Sequence, residues 1–156
     1  MFSLFLRNLL FTILQPGVVA GVLPFLIVRQ RQKVELKLSN AFEYAGACIF
    51  VIGFTIMLIC IISFAVKGRG TLSPADPTNK LVVSGLYKFS RNPMYVGVLL
   101  MLAGEGTFFK SVSLFVYTLL IFVAFTVFII FFEEPRLTRA FGGEYLQYRT
   151  KVPRWL

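Results

Sequence analysis

Two short charged motifs, each bordering an apolar segment, hold the residues that could do chemistry. The first covers residues 85–97 and contains Arg91 directly before Asn92 and Pro93. The second covers residues 133–149 and begins with two adjacent acids, Glu133 and Glu134. Charged side chains are costly near a bilayer, so two dense clusters beside apolar segments indicate a binding site more readily than an ordinary surface.

The first motif predicts the start of a helix that can bind an anion. Asn92 suits the N-cap position and Pro93 suits the first helical position, so a helix is expected to begin here. The free N–H groups at a helix start favour a carboxylate or phosphate, and Arg91 could hold the same anion through two parallel hydrogen bonds. The alternative is that Arg91 only reaches lipid headgroups.

The paired acids of the second motif have two interpretations. On a side of the protein that is rich in Lys and Arg, Glu133 and Glu134 could be neutralised by neighbours such as Arg91 or Arg136. They could equally accept hydrogen bonds from the ammonium or hydroxyl groups of a ligand. The sequence leaves both interpretations open.

Small and aromatic residues around the first motif also have a structural and a functional interpretation. Gly97 and Gly104 lie seven positions apart on one helix face, which favours close helix packing or contact with a ligand. Tyr87 and Tyr95 flank the expected helix start, where they could belong to an interfacial aromatic belt or stack on a ligand.

The composition indicates an integral membrane protein. Of 156 residues, 57% are hydrophobic, whereas soluble domains have about 45–50%. The chain has no histidine, which removes the commonest general base and metal ligand, and its other polar residues show no metal-ligand spacing. Cys48 and Cys60 share one apolar segment and are expected to be free thiols. The net charge of +9 suits contact with anionic headgroups, and its spread over several loops argues against nucleic-acid binding.

Four apolar segments determine the predicted architecture, since each is long enough to cross a hydrocarbon core of roughly 30 Å. They cover residues 4–28, 42–66, 93–109 and 112–132. We therefore predict an all-α integral membrane protein with about four transmembrane helices and a C-terminal amphipathic helical segment on the cytoplasmic side. The first segment is expected to be a retained helix kinked at Pro16 and Pro24, and the loop at 68–84 to be irregular.

The short connection at Lys110 and Ser111 is expected to bring the two motifs together. It forces the third and fourth segments into a tight antiparallel hairpin, so residues before Pro93 and after Phe132 share one membrane face. Eleven of the sixteen Lys and Arg residues lie on that side, which makes it cytoplasmic by the positive-inside rule. Glu105 lies near the opposite end and is expected to be structural, paired with Lys110 or a headgroup amine.

The C-terminal tail has the pattern of an amphipathic helix. Its apolar residues recur at helical spacing at Leu137, Phe141, Tyr145 and Tyr148. The pair at 142–143, both glycine, is expected to divide it into two short helices. The tail is either a plain interfacial helix or a lid over the site.

The two motifs together have a family pattern. It consists of Gly85, Tyr87, Arg91, Asn92-Pro93, Tyr95 and Gly97, followed by Glu133-Glu134-Pro135, Leu137, Phe141-Gly142, Tyr145, Tyr148 and Val152-Pro153. Over roughly residues 65–156 the chain resembles the isoprenylcysteine carboxyl methyltransferase and phospholipid methyltransferase superfamily of integral membrane enzymes. Many relatives have His where this chain has Asn92, and Asn can form hydrogen bonds but cannot act as a base or a cation.

We predict one membrane domain over residues 1–156, since a chain of this length and apolar content has no room for a separate soluble domain. Residues 1–66 would form an N-terminal helical hairpin and residues 67–156 a methyltransferase-like core that binds S-adenosylmethionine. The methyl acceptor would be lipophilic and would enter from the membrane lipids. An isoprenylcysteine carboxylate, a phospholipid amine and a small thiol all remain open as acceptors.

The resemblance also implies roles for individual residues. We expect Arg91 and the helix start to hold the carboxylate of the cofactor, with Glu133 or Glu134 on its ammonium or ribose. Arg139 or Arg149 could orient an anionic acceptor, and with Glu134 they form the expected catalytic set. The expected cofactor-binding residues are Tyr87, Arg91, Asn92, Pro93, Tyr95, Gly97, Glu133, Glu134, Tyr145 and Tyr148, of which Tyr95, Tyr145 and Tyr148 would face the adenine or the sulfonium. No metal ion is expected.

Two other classes of function remain open. A membrane oxidoreductase similar to sterol reductases would use a nicotinamide cofactor, and it predicts contacts for a nucleotide phosphate and more than four helices. A non-enzymatic membrane scaffold predicts that the charged clusters contact only headgroups. Binding measurements with the two cofactors would separate these classes.

Overall fold

The computed structural model describes residues 16–30, 38–63 and 81–156, and these ranges contain helices and connections but no strand. The α-helices are α1 (Leu23–Arg29), α2 (Ala41–Ser63), α3 (Pro93–Phe108), α4 (Val112–Phe128), α5 (Glu134–Phe141) and α6 (Gly143–Lys151). Two π-helical turns, Val18–Val22 and Ile129–Glu133, precede α1 and α5, and a 3-10 turn, Gly85–Lys88, precedes α3. The all-helical class is confirmed for this part of the chain. The predictions for residues 4–15 and for most of the loop at 68–84 lie outside the described residues.

The helices α2 and α3 pack against each other through glycine faces. A Cβ atom on Gly53 would lie 2.5 Å from the carbonyl oxygen of Gly97, and one on Gly104 would lie 2.8 Å from that of Gly46. Real side chains essentially never approach backbone atoms this closely. The two backbones are therefore in direct contact, as close helix packing through small residues requires. The packing role predicted for Gly97 and Gly104 is confirmed.

The hairpin between α3 and α4 is as tight as predicted. Only residues 109–111 connect the two helices, and Lys110 takes a left-handed conformation with φ of 49°. The Nζ atom of Lys110 lies 3.9 Å from a carboxylate oxygen of Glu43, at the start of α2. Lys110 is thus near Glu43, and the expected pairing with Glu105 does not form.

The start of α2 is closed by a local hydrogen-bond network. The backbone N–H of Glu43 donates to the side-chain oxygen of Asn40, and the Glu43 carboxylate accepts from the backbone N–H groups of Ser39 and Asn40. This reciprocal arrangement satisfies donors that a helix start leaves free.

The fourth apolar segment continues further than the sequence indicates. The helix α4, the π-helical turn and α5 form one unbroken helix, Val112–Phe141. The paired acids therefore lie within this helix and not at its end. The wider turn ends at Glu133, two residues before Pro135, whose ring removes a backbone donor, and it allows the helix to continue past that residue. The helix ends at Gly142, with φ of 52°, and α6 follows, so the predicted division of the tail at 142–143 is confirmed.

Within the described ranges, two helices are long and apolar enough to cross a membrane, Ala41–Ser63 and Val112–Phe141. Val18–Arg29 and Pro93–Phe108 are apolar but shorter. Only 22% and 11% of the residues in the apolar windows of the two long helices are buried inside the protein. Large side chains such as Phe131, Val112 and Leu119 are exposed. Apolar surface of this extent indicates contact with lipid or a partner. Both cysteines are free, as expected.

Candidate functional site

The centre of the site is the carboxylate of Glu134, a residue of which 5% of the surface is exposed. Its Oε1 atom lies 2.9 Å from Nη1 of Arg91 and 2.8 Å from Nε of Arg154. Its Oε2 atom accepts a second hydrogen bond from Arg154, at 3.2 Å, and lies 3.8 Å from Arg149. We call these four residues, Glu134 with Arg91, Arg149 and Arg154, the Arg–Glu cluster. The cluster contains three cations and one anion, so its net positive charge suits a further anionic group.

The side chain of Arg91 is almost enclosed, with 9% of its surface exposed. Its Nη1 atom also donates to the hydroxyl of Tyr145, at 3.2 Å. Its Nε atom is buried and has no hydrogen-bond partner among the residues that the structure describes. A buried donor without a partner is costly, because the group has lost its hydrogen bonds to water. Arg91 therefore retains a donor for an acceptor group that enters the site.

The C-terminal residues are held against the start of α3. The backbone N–H of Arg91 donates to the carbonyl of Pro153, at 2.9 Å. The side chains of Asn92 and Ser90 both donate to the carbonyl of Arg154, at 3.0 and 3.2 Å. These bonds place the guanidinium of Arg154 beside Glu134. The pKa of Arg154 is raised by its hydrogen bond with Glu134.

The helix start predicted at Asn92 and Pro93 is confirmed, but Asn92 does not cap it through its side chain. Its amide instead forms the contact with Arg154, and the backbone N–H of Asn92 donates to the hydroxyl of Ser90. Asn92 is buried, and its side chain holds the C-terminal residues through this hydrogen bond. A side chain at this position that binds a carbonyl must donate a hydrogen bond, which an amide does without carrying charge.

The second acid, Glu133, has a different environment from its neighbour. One of its carboxylate oxygens accepts a hydrogen bond from the hydroxyl of Tyr95, at 3.0 Å. The structure records no arginine within ion-pair distance of it among the described residues. The ring of Tyr95 packs against Phe125 of α4, with centroids 4.6 Å apart. The two adjacent acids are thus distinguished by tertiary contacts: Glu134 is neutralised and Glu133 keeps acceptor capacity.

Three tyrosines lie near the Arg–Glu cluster. Tyr145 and Tyr148 belong to α6, and Tyr87 belongs to the 3-10 turn before α3. The hydroxyl of Tyr148 donates to the carbonyl of Tyr87, at 2.6 Å. Tyr145 is 2% exposed, and its ring lies 6.4 Å from that of Tyr148. Burial raises the pKa of all three phenols, that of Tyr148 to about 12. They remain neutral hydrogen-bonding groups near pH 7.

The remaining predicted residues divide into those at the site and those away from it. Pro93 is buried at the start of α3 beside Asn92. Gly97 faces Gly53 of α2. Arg149 is half exposed at the edge of the cluster. Arg139 is exposed on α5 and has no ion pair or hydrogen bond within the described ranges.

Sequence reasoning missed Ser90, Arg154 and Trp155. Arg154 supplies the closest contact to Glu134, and Trp155 packs against Phe122 of α4, with ring centroids 5.1 Å apart. A basic residue and a tryptophan at the end of a chain are also typical of membrane interfaces. Nothing in the spacing of Arg154 and Trp155 distinguishes residues of a binding site from residues that only contact the membrane interface.

Comparison with known proteins identifies the family. The sequence model of the phospholipid methyltransferase family matches residues 42–144, more than half of the chain. The chain belongs to the phospholipid methyltransferase family. The match includes α2 to α5, and with them Arg91, Glu133 and Glu134. No curated protein and no solved structure matches the chain significantly. Membership in this family indicates a membrane methyltransferase, as the resemblance implied.

Proposed function

We propose that this protein is a multi-pass membrane enzyme that transfers a methyl group from S-adenosylmethionine to a lipophilic acceptor. The observation that carries the proposal is the buried donor of Arg91. Its Nε atom has no partner in the described part of the chain, although the same guanidinium already binds Glu134 and Tyr145. An arginine held in this way is oriented before the ligand arrives, which reduces the cost of binding.

The residues present fit the charged groups of S-adenosylmethionine. The cofactor carries a carboxylate, an ammonium and a sulfonium. Arg91, with the net positive charge of the Arg–Glu cluster and the start of α3, suits the carboxylate. Glu133 has free acceptor capacity for the ammonium or for ribose hydroxyls. The rings of Tyr95 and Tyr145 suit the sulfonium, because a cation is attracted to an aromatic face.

The two acids have separate roles in this proposal. Glu134 holds Arg91 and Arg154 in position, and since arginines occupy both of its oxygens it is a weak candidate for proton transfer. Glu133 is bound by one neutral hydroxyl and can accept a proton from an amine acceptor. The role of Glu134 in catalysis is therefore proposed to be that of a positioning residue.

S-adenosylmethionine supplies an activated methyl group, so the protein needs chiefly to align the acceptor and exclude water. We also propose that two exposed arginines orient an anionic headgroup. Arg149 lies at the edge of the cluster and Arg139 lies on α5. The family favours a phospholipid as acceptor, and we propose an amine nitrogen of its headgroup as the attacking atom. The isoprenylcysteine carboxylate stays as the alternative acceptor.

The proposed placement in the membrane has four crossings, with the Arg–Glu cluster on the cytoplasmic face. It is supported by the short hairpin between α3 and α4 and by the excess of Lys and Arg on the side of the cluster. Cysteine labelling from either side of the membrane at Lys88 and Lys110, each replaced by cysteine, tests it. Labelling of both positions from the same side would contradict it.

The decisive experiment is incubation of membranes containing the protein with methyl-labelled S-adenosylmethionine. Labelled lipid should appear with the wild type and with Lys88→Ala, an exposed neighbour of the site. It should be lost with Arg91→Lys, which retains a charge for Glu134 but lacks the Nε donor. Mass spectrometry of the product identifies the acceptor as an amine lipid or a carboxylate. Failure of the wild type to bind S-adenosylhomocysteine in calorimetry would overturn the proposal.

A further inference from the structure

A groove lies at the end of the bundle opposite the Arg–Glu cluster. It is bounded by α1, α2 and α3 and has a volume of about 430 Å³. Its walls are apolar and include Pro24, Phe25, Phe50 and Phe108. One ionisable side chain, that of Glu105, lines it within the described part of the chain. A carboxylate in such a wall requires an explanation, because charged groups are rare at apolar membrane positions.

The carboxylate of Glu105 lacks a compensating cation among the described residues. Its Oε2 atom is buried and accepts no hydrogen bond from residues 16–30, 38–63 or 81–156. The nearest expected partner, Lys110, instead lies beside Glu43 and the ring of Phe42. A buried acceptor without a donor is destabilising, whereas the same acceptor paired with a charged donor forms a strong hydrogen bond. The groove is therefore complementary to a ligand that combines an apolar chain with a cationic donor.

We propose that this groove binds a membrane lipid with a primary ammonium headgroup, with the ammonium on Glu105 and part of an acyl chain along Phe25, Phe50 and Phe108. An anionic headgroup without an amine supplies no cation to pair with the Glu105 carboxylate. A quaternary ammonium has no N–H group and cannot satisfy the orphaned oxygen. An aminophospholipid supplies both the charge and the donors.

This site is separate from the proposed site of methyl transfer. Glu105 lies twelve residues after Pro93 on the same helix, which corresponds to roughly 18 Å along the axis. A lipid amine on Glu105 therefore cannot reach a methyl group held near Arg91. The groove would hold a bound lipid at the far end of the bundle, and its occupation does not depend on the proposed reaction.

The test uses the full-length protein in nanodiscs that contain equal amounts of phosphatidylethanolamine, phosphatidylcholine and phosphatidylglycerol. The lipids retained after release from the disc are measured by native mass spectrometry in the absence of cofactor. We expect retention of phosphatidylethanolamine over the other two. Glu105→Gln should lower that preference about tenfold, as loss of a charge-assisted contact implies. Glu144→Gln, which removes an exposed acid on α6, should leave it unchanged.

A second variant tests the apolar part of the groove without changing charge. Ala47 lines the groove, so Ala47→Phe should expel the chain and lower retention. Ala45→Phe, at an exposed position of the same helix, is its control. Retention of phosphatidylethanolamine that is unchanged in both Glu105→Gln and Ala47→Phe would overturn the inference. Equal retention of all three lipids by the wild type would do the same.

The same preparations separate this inference from the proposed function. Binding of S-adenosylhomocysteine should be unchanged by Glu105→Gln and Ala47→Phe, and it should be lost in Arg91→Lys. If lipid retention fails while cofactor binding persists, only the groove is wrongly assigned. If cofactor binding is absent while the lipid preference depends on Glu105, only the methyltransferase proposal is wrong.

Discussion

Nη1 of Arg91 lies 2.9 Å from Oε1 of Glu134, although the two residues are 43 positions apart in the chain. Arg91 precedes the first turn of α3, and Glu134 lies in the helix that returns from the hairpin. Both side chains are nearly buried, with 9% and 7% exposed. Glu134 also binds Arg154, so one carboxylate connects the start of α3, the long helix and the C-terminal residues.

Loss of the Glu134 carboxylate should destabilise the protein. Glu134→Gln leaves Arg91 buried without an anion, and breaking such a pair by removing one partner costs about 3 kcal/mol or more. Thermal unfolding in detergent measures the effect, with Glu144→Gln as the exposed control. An unfolding midpoint equal to that of the control would show that the cluster adds no stability.

Loss of the Glu133 carboxylate should weaken cofactor binding and have little effect on stability. Glu133→Gln keeps an amide oxygen that can accept the hydrogen bond from Tyr95, so its cost to stability is at most about 1 kcal/mol. Since Glu133 is proposed to face the cofactor, affinity for S-adenosylhomocysteine should fall about tenfold, which corresponds to 1.4 kcal/mol. Calorimetry on Glu133→Gln and Tyr95→Phe measures this. Full affinity in Glu133→Gln would reject its assigned role.

The glycine contact between α2 and α3 should not accept a methyl group. Gly53→Ala puts a Cβ atom 2.5 Å from the Gly97 carbonyl oxygen, so the helices must separate, at about 1–3 kcal/mol for overpacking. The matched control is Gly21→Ala, where the added atom has no neighbour within 4 Å among the described residues. Unfolding midpoints of the two variants should differ clearly, and equal midpoints would contradict direct backbone contact.

Tyr148 should contribute to loss of stability at alkaline pH. Burial raises the pKa of Tyr148 from 10.0 to about 12, so between these values the folded protein keeps a proton that the unfolded chain releases. Stability from this group is complete below pH 10 and is lost as the pH rises towards 12. Tyr148→Phe should therefore show a shallower decline over that range in unfolding experiments. A slope identical to that of the wild type would indicate that Tyr148 titrates normally.

Arg154 should matter although it lies outside the residues matched by the family model. Removal of residues 153–156 takes away Arg154 and the carbonyls that bind Arg91, Asn92 and Ser90. Cofactor affinity should fall, because Arg91 loses the backbone contact that orients it. Arg154→Lys isolates the guanidinium, since it keeps those carbonyls. If truncation leaves affinity unchanged, the C-terminal residues do not shape the site.

The sequence alone determined the class of this protein and the parts of the chain that meet. Apolar length specified helices α2 to α4, and Asn92 with Pro93 specified where α3 begins. The short connection at Lys110 placed both motifs at one end of the bundle. These features depend on local propensity, chain length and the need to bury apolar groups, which residue types and their spacing record directly.

Only the tertiary structure decided which acid is neutralised and what each polar side chain binds. Glu133 and Glu134 are chemically identical neighbours, so no local pattern could show that arginines bind Glu134 and Tyr95 binds Glu133. The same holds for Asn92, which binds Arg154 instead of capping its helix, and for Glu105, which faces an apolar groove. Such choices depend on helix rotation and on contacts between residues far apart in the chain, which fix the environment of each group only when the helices pack.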